Sequence, residues 1–192
     1  MITNTLIKSI RDFVNGDVEK YGAPSKFQVE FVNDKGQWLA NKLRADKNIV
    51  LLGTLLMDCK LGQAYKEGRL KDHIEMSRQK AEEILSGDDK ITDEEKENIL
   101  NCIKQHHGAD KFYSLESEIC CNADCYKFAS IKGAVGSIKN HRDMPLNDMV
   151  KLFMDKAEEK WKALSLDICK NELKPQYKAI KEFFGNYQAD QK

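Results

Sequence analysis

Signals that begin α-helices recur along this chain and constrain its fold more than any other feature. Ser25 is followed three positions later by Gln28, and Thr92 by Glu95. Both pairs have the form of a capping box, in which the first and fourth residues exchange side chain–backbone hydrogen bonds. Apolar residues between these signals follow helical spacing rather than the alternation of a strand. Only three prolines interrupt the 192 residues. The sequence therefore predicts an all-α fold.

The length of the chain favours one domain, because a typical domain holds roughly 100–200 residues. We therefore expect residues 1–192 to form a single-domain helical bundle. Residues 131–136 contain two glycines and predict a connection between helices. Long amphipathic helices are predicted from Pro145 onward, and Pro175 is expected to divide the last pair, because proline breaks helical hydrogen bonding.

The balance of charge and the short apolar runs exclude several classes of protein. Thirty-one Lys and Arg residues offset 31 Asp and Glu residues, which argues against a dedicated nucleic-acid-binding domain. The longest apolar run, residues 49–57, is well below the roughly 20 residues of a membrane span. The first residues lack the features of a signal peptide. We expect a cytoplasmic protein with no membrane partner, whose six cysteines are mostly buried free thiols.

Asp58 is the first candidate for chemistry. It follows the most apolar predicted helix at its C-terminal end, where the helix dipole disfavours a carboxylate by some 0.3–1 kcal/mol. A carboxylate carried into a core needs a cation, a metal or hydrogen-bond donors. The alternative is that the helix ends one residue earlier and that Asp58 lies in solvent.

Three histidines and a second aspartate extend this candidate site. His73 lies in the first turn of one predicted helix, and His106 and His107 lie at the end of another, before Gly108. Asp124 lies inside an otherwise rather apolar helix. Adjacent histidines point about 100° apart on an ideal helix, a constraint that a frayed helix end relaxes. Imidazole and carboxylate ligands together suit Fe, Zn, Mn or Co.

The order of these motifs resembles the HD-domain superfamily of metal-dependent phosphohydrolases. Residues 49–62 are similar to the apolar helix that ends in the His-Asp pair of that family. Residues 99–108 are similar to its histidine-bearing helix, and residues 114–128 to the helix with its late aspartate. The resemblance spans about residues 27–128. It implies an HD-domain-like core over about 25–130, followed by a helical extension over about 145–186 that has no counterpart in the family.

The resemblance also implies a metal site with two departures. Met57 stands where the family has the histidine of its His-Asp pair, and the first family histidine falls on Gln28. These replacements empty mainly one of the two metal positions that some members have. We therefore expect one divalent transition-metal ion (Fe, Mn, Zn or Co) rather than two, with Asp58 as the catalytic residue. The implied ligands are Asp58, His73, His106, His107 and Asp124.

The resemblance implies hydrolysis of a nucleotide or another small phosphate ester. Lys60 and Lys127 lie near the two aspartates in sequence and are candidates for contacts with phosphate oxygens. The alternative for both lysines is a solvated surface.

Two other functions stay open. One is a catalytically decayed HD-fold module that binds a ligand or partner. The other is an HD-fold di-iron oxygenase, although that chemistry uses both metals. The apolar residues of the C-terminal helices either pack on the bundle or form the face of a homo-oligomer.

Overall fold

The computed structural model describes residues 1–141 and 143–189, with side chains described up to residue 187. No strand occurs in these residues, and the all-α fold class is confirmed. Residues 142 and 190–192 of the predicted domain lie outside the described ranges. The helices are α1 (Asn4–Tyr21), α2 (Lys26–Leu43), α3 (Lys47–Leu56), α4 (Leu61–Lys66), α5 (His73–Ser86), α6 (Asp93–Gln105), α7 (Leu115–Ala129), α8 (Ile131–Ile138), α9 (Leu146–Ala163) and α10 (Asp167–Ala189).

Both predicted capping boxes form. The Gln28 backbone N–H donates to Ser25 Oγ at 3.3 Å, and the Ser25 backbone N–H donates to Gln28 Oε1 at 3.1 Å. Thr92 and Glu95 exchange the same two bonds at the start of α6. These reciprocal bonds satisfy backbone donors that the first turn of a helix leaves free, and they set where α2 and α6 begin.

Two expectations about the later helices are wrong. Residues 131–136 belong to α8 rather than to a connection, because Ser130 ends α7 and its hydroxyl also accepts from the Gly133 backbone N–H at 3.0 Å. Pro175 lies inside α10. The break between the last two helices lies at residues 164–166, where Leu164 adopts an extended conformation.

Helix α7 occupies the centre of the bundle and packs against α2, α3, α6, α8, α9 and α10. Its buried face extends all round the helix, which small side chains such as Cys120, Ala123 and Cys125 permit. Gly53 lets α3 approach α6 and α7 closely. A Cβ at position 53 would lie 2.7 Å from Cys102 Cβ and 2.8 Å from Cys120 Sγ. This approach fixes the end of α3, and with it Asp58, against α6 and α7.

The C-terminal helices pack on the rest of the chain. A second apolar cluster lies among α8, α9 and α10 and includes Phe153, Ile180 and Phe184, while Leu164 joins the main core. Most of the apolar residues of the C-terminal helices are therefore buried within one chain, although Leu146 stays exposed. None of the helices in the described ranges combines the length and apolar character that crossing a bilayer requires.

Candidate metal centre

Asp58 lies in a turn just beyond α3. The helix ends at Leu56, as the alternative interpretation of the sequence requires, but Asp58 is only 6% exposed. The turn is fixed because the Lys60 backbone N–H donates to Ser77 Oγ of α5 at 3.1 Å. Local backbone geometry therefore directs this carboxylate into the protein, and it does not lie in solvent.

One carboxylate oxygen of Asp58 faces two of the three histidines. Its Oδ1 lies 3.6 Å from His73 Nε2 and 3.4 Å from His106 Nε2. His107 completes the group, since one ligand atom from each of these four residues lies within 4.8 Å of all the others. His106 and His107 reach the same position because α6 ends at Gln105 and both residues lie in the turn that follows. The predicted relaxation at the end of this helix is what lets adjacent histidines converge.

Hydrogen bonds determine which nitrogen of each buried imidazole carries the proton. Nδ1 of His73 lies 2.7 Å from the carbonyl oxygen of Leu70, and Nδ1 of His106 lies 2.7 Å from that of Ile103. A carbonyl only accepts, so both Nδ1 atoms donate a proton. In the neutral rings, Nε2 therefore carries a lone pair that faces the acceptor Oδ1 of Asp58. A cation between them would stabilise acceptors that face one another in this way.

The buried surroundings keep two of these imidazoles neutral. Burial lowers the pKa of His73 more than Asp58 and the Leu70 carbonyl raise it. For His107, burial and the neighbouring His106 lower the pKa to about 3. His106 Nε2 is fully buried and makes no hydrogen bond with any described residue. A neutral imidazole with a free buried lone pair is the form that binds a metal ion.

Asp124 contacts two lysines instead of the histidines. Its Oδ1 lies 2.5 Å from Lys127 Nζ, and its Oδ2 lies 2.7 Å from Lys160 Nζ. Lys127 Nζ also donates to Asp58 Oδ2 at 2.7 Å. The structure thus joins the two predicted aspartates through one ammonium group. Among the described residues, the group of four potential metal ligands consists of Asp58, His73, His106 and His107, and Asp124 is not one of them.

Lys127 and Lys160 are both buried, at 7% and 2% exposure. Burial alone would raise the pKa of Asp58, but the ammonium group of Lys127 is the largest opposing influence, and the pKa lies well below its usual value. Burial likewise opposes the charge on Lys127, whereas Asp124 and Asp58 raise its pKa. The cluster therefore contains two carboxylates and two ammonium groups, all charged at neutral pH.

Sequence reasoning missed Lys160, which α9 supplies from the C-terminal extension. It lies at helical spacing from Phe153, Ala157 and Leu164, which are all buried. A lysine within an apolar stripe was the available signal, because it indicates a charge directed at the core.

The structure separates the other candidate residues. Gln28 and Met57, which replace the family histidines, line one small pocket together with Asp58 and Lys127. Lys60 lies elsewhere: its Nζ is 2.8 Å from Asp17 Oδ2 of α1. The contact of Lys60 or Lys127 with a phosphate stays a prediction.

Comparison of the fold with solved structures identifies the same architecture as the sequence motifs. No family model matches the chain, and no curated protein is significantly similar to it. A protein from Lactobacillus plantarum is 18% identical with a TM-score of 0.71, over 99% of this chain and 98% of its own. A predicted HD superfamily hydrolase from an uncultured Thermotogales bacterium is 16% identical with a TM-score of 0.67, over 96% and 92%.

An HD-superfamily hydrolase from Bacillus thuringiensis is also similar, with 16% identity, a TM-score of 0.62 and coverage of 96% of this chain and 95% of its own. All three likenesses extend over almost the whole chain, including α9 and α10. The expectation that the extension has no counterpart is therefore wrong at the level of structure. The chain has the fold of the HD-superfamily hydrolases.

Proposed function

We propose that this protein is a metal-dependent phosphohydrolase that binds one divalent transition-metal ion and acts on a nucleotide or another small phosphate ester. The main support for this proposal is that the Nε2 atoms of His106 and His73 face Asp58 Oδ1 at 3.4 and 3.6 Å. Ligands about 2.0–2.2 Å from an ion in tetrahedral arrangement lie roughly 3.3–3.6 Å from one another. The two distances from Asp58 Oδ1 to the imidazole nitrogens fit such an ion.

Four residues would hold the ion: Asp58, His73, His106 and His107. A bound divalent ion supplies Lewis acidity, since it polarises a phosphoryl oxygen and acidifies water. The backbone carbonyls of Leu70 and Ile103 orient the imidazoles of His73 and His106 and keep their Nδ1 atoms protonated. Lys127 fixes the carboxylate of Asp58 from its other oxygen. His107 is the most exposed member of the group, and its Nδ1 lies 4.0 Å from Glu159 Oε1.

The proposal is tested by counting metal ions in purified protein and by calorimetric titration of chelator-treated protein with Mn²⁺, Zn²⁺ and Co²⁺. We expect one ion per chain, lost in His106→Gln. His141→Gln is the matched control, because His141 also bonds a backbone carbonyl through Nδ1, that of Ser137 at 2.8 Å, but lies outside the group. Hydrolysis of a panel of small phosphate esters should follow the same pattern. Wild-type protein that binds no ion would refute the proposal.

A module without metal is the second candidate, and the two buried lysines favour it. Lys127 and Lys160 already compensate the charges of Asp58 and Asp124. In that case the histidine group holds no ion, and His106→Gln and His141→Gln behave alike in titration. A cytoplasmic location and self-association through the C-terminal helices stay predictions.

A further inference from the structure

We infer that the ammonium group of Lys127 is a tethered cation that takes the position of a second metal ion between Asp58 and Asp124 and so limits the centre to one ion. This inference rests on the proposed function and assigns a role to a residue outside the group of four ligands. Lys127 is a positioning residue here, because it acts on the carboxylates and not on a substrate.

The geometry gives Lys127 the contacts of a bridging ion. Its Nζ lies 2.7 Å from Asp58 Oδ2 and 2.5 Å from Asp124 Oδ1, and its side chain is almost wholly buried. The two oxygens of Asp58 are thereby divided. Oδ1 faces the imidazoles of His73 and His106, whereas Oδ2 faces only the lysine among these groups. One carboxylate can thus bind an ion on one side and a side-chain cation on the other.

Charge leaves no place for a second ion on the lysine side. Asp58 and Asp124 contribute two negative charges, and Lys127 and Lys160 contribute two positive ones. Glu159 also lies 3.3 Å from Lys160 Nζ, but Lys156 balances its charge at 2.7 Å. A divalent ion placed between the carboxylates would lie beside an ammonium group in a buried environment, where repulsion is weakly screened.

The neighbouring side chains offer this position no good ligand. Gln28 uses its Oε1 to accept from the Ser25 backbone N–H and its Nε2 to donate to Ser137 Oγ at 3.1 Å. Met57 provides only a thioether, a soft ligand that suits few divalent ions. Both residues line the pocket that Lys127 and Asp58 share. Neither Gln28 nor Met57 therefore replaces Lys127 as a partner of Asp58 at this pocket.

A purely structural ion pair makes a different prediction. If Lys127 only stabilises the fold, its removal lowers stability and leaves the number of bound ions unchanged. If it replaces an ion, its removal frees two carboxylate oxygens for a hard cation, so the number of ions rises.

The experiment compares wild-type protein with Lys127→Met, which keeps the length of the side chain and removes its charge. Mn²⁺ is the probe, and bound ions are counted by native mass spectrometry and by elemental analysis after exchange into metal-free buffer. We expect one ion in wild-type protein and two in Lys127→Met. Lys127→Arg should retain one ion, because it keeps the charge. The double variant Lys127→Met with Asp124→Asn should also retain one, because it removes an oxygen of the second position.

The outcomes separate the inference from the proposed function. Wild-type protein without an ion refutes the proposed function. One ion in folded Lys127→Met overturns the role of Lys127 and leaves the proposed function intact. Two ions in wild-type protein overturn the role of Lys127 and the single-ion part of the proposed function, but not metal-dependent hydrolysis. If Lys127→Met unfolds in chelator, we expect Mn²⁺ to refold it, as measured by circular dichroism. A variant that stays unfolded in Mn²⁺ also overturns the inference.

Discussion

Replacing Lys160 with methionine removes the positive charge that α9 places against Asp124. Lys160 Nζ lies 2.7 Å from Asp124 Oδ2, and both side chains are almost completely buried. Asp124 keeps its contact with Lys127, but Lys127 is shared with Asp58. Lys160 Nζ also lies 3.3 Å from Glu159 Oε1, but Glu159 keeps Lys156 as a partner at 2.7 Å. The substitution therefore leaves one uncompensated negative charge, at Asp124.

The magnitude follows from the distance and the burial. Two unit charges 2.7 Å apart attract by about 6 kcal/mol at an effective dielectric constant near 20. Desolvation of the two groups offsets this attraction by several kcal/mol per ion, so the intact pair adds little net stability. Removal of one partner keeps the desolvation cost of the other, and we expect a loss of about 3–5 kcal/mol. That is a large share of the roughly 5–15 kcal/mol that stabilises a typical domain.

Urea unfolding followed by circular dichroism measures this loss, in chelator so that no ion contributes. The matched control is Lys156→Met, one turn earlier on α9, because Lys156 pairs with Glu159 at 2.7 Å but is 35% exposed. We expect the control to lose less than about 1 kcal/mol. Adding Asp124→Asn to Lys160→Met should recover most of the loss. The reasoning fails if Lys160→Met and Lys156→Met are destabilised equally.

Three further predictions concern other parts of the fold. Gly53→Ala places a Cβ 2.7 Å from Cys102 Cβ, and we expect it to lower the free energy of unfolding, measured in urea, by about 1–3 kcal/mol. An unchanged midpoint of urea unfolding would contradict the close approach of α3. Because the pKa of His107 falls to about 3 from 6.5, the folded protein binds fewer protons than the unfolded chain between these values, so its stability should fall as pH drops through this window. His107→Gln should flatten that dependence in urea unfolding measured at several pH values, and parallel curves would count against it. Burial raises the pKa of the Cys59 and Cys169 thiols to about 12. A thiol reagent at about pH 8 should therefore label them only as the protein unfolds. Rapid labelling of the folded protein would contradict the burial of these thiols.

Local signals predict the beginnings of helices well and their continuations less well. Ser25 and Thr92 act through residues three positions away, so the sequence alone determines these starts. The start of α8 was missed because Ser130 both ends α7 and begins α8, which leaves no spacer between the two helices. Pro175 was expected to mark a break, but the chain had already turned at residues 164–166.

The sequence predicts the candidate site only in part, as it does the helices. The order of motifs allowed Asp58, His73, His106 and His107 to be grouped, and the structure brings them together. Patterns along one helix do not show which charges meet across helices. Asp124 and Lys127 lie one turn apart on α7, but the contact of Asp124 with Lys160 depends on the packing of α7 against α9.

The central position of α7 has a consequence for the dynamics of the protein. A helix packed on all sides can exchange its amide protons only when the surrounding helices separate, so α7 should exchange at the rate of global unfolding, whereas α1 and α4 at the periphery should exchange through local openings. Asp124 and Lys127 both lie on α7. Their positions relative to each other therefore persist until the bundle unfolds globally.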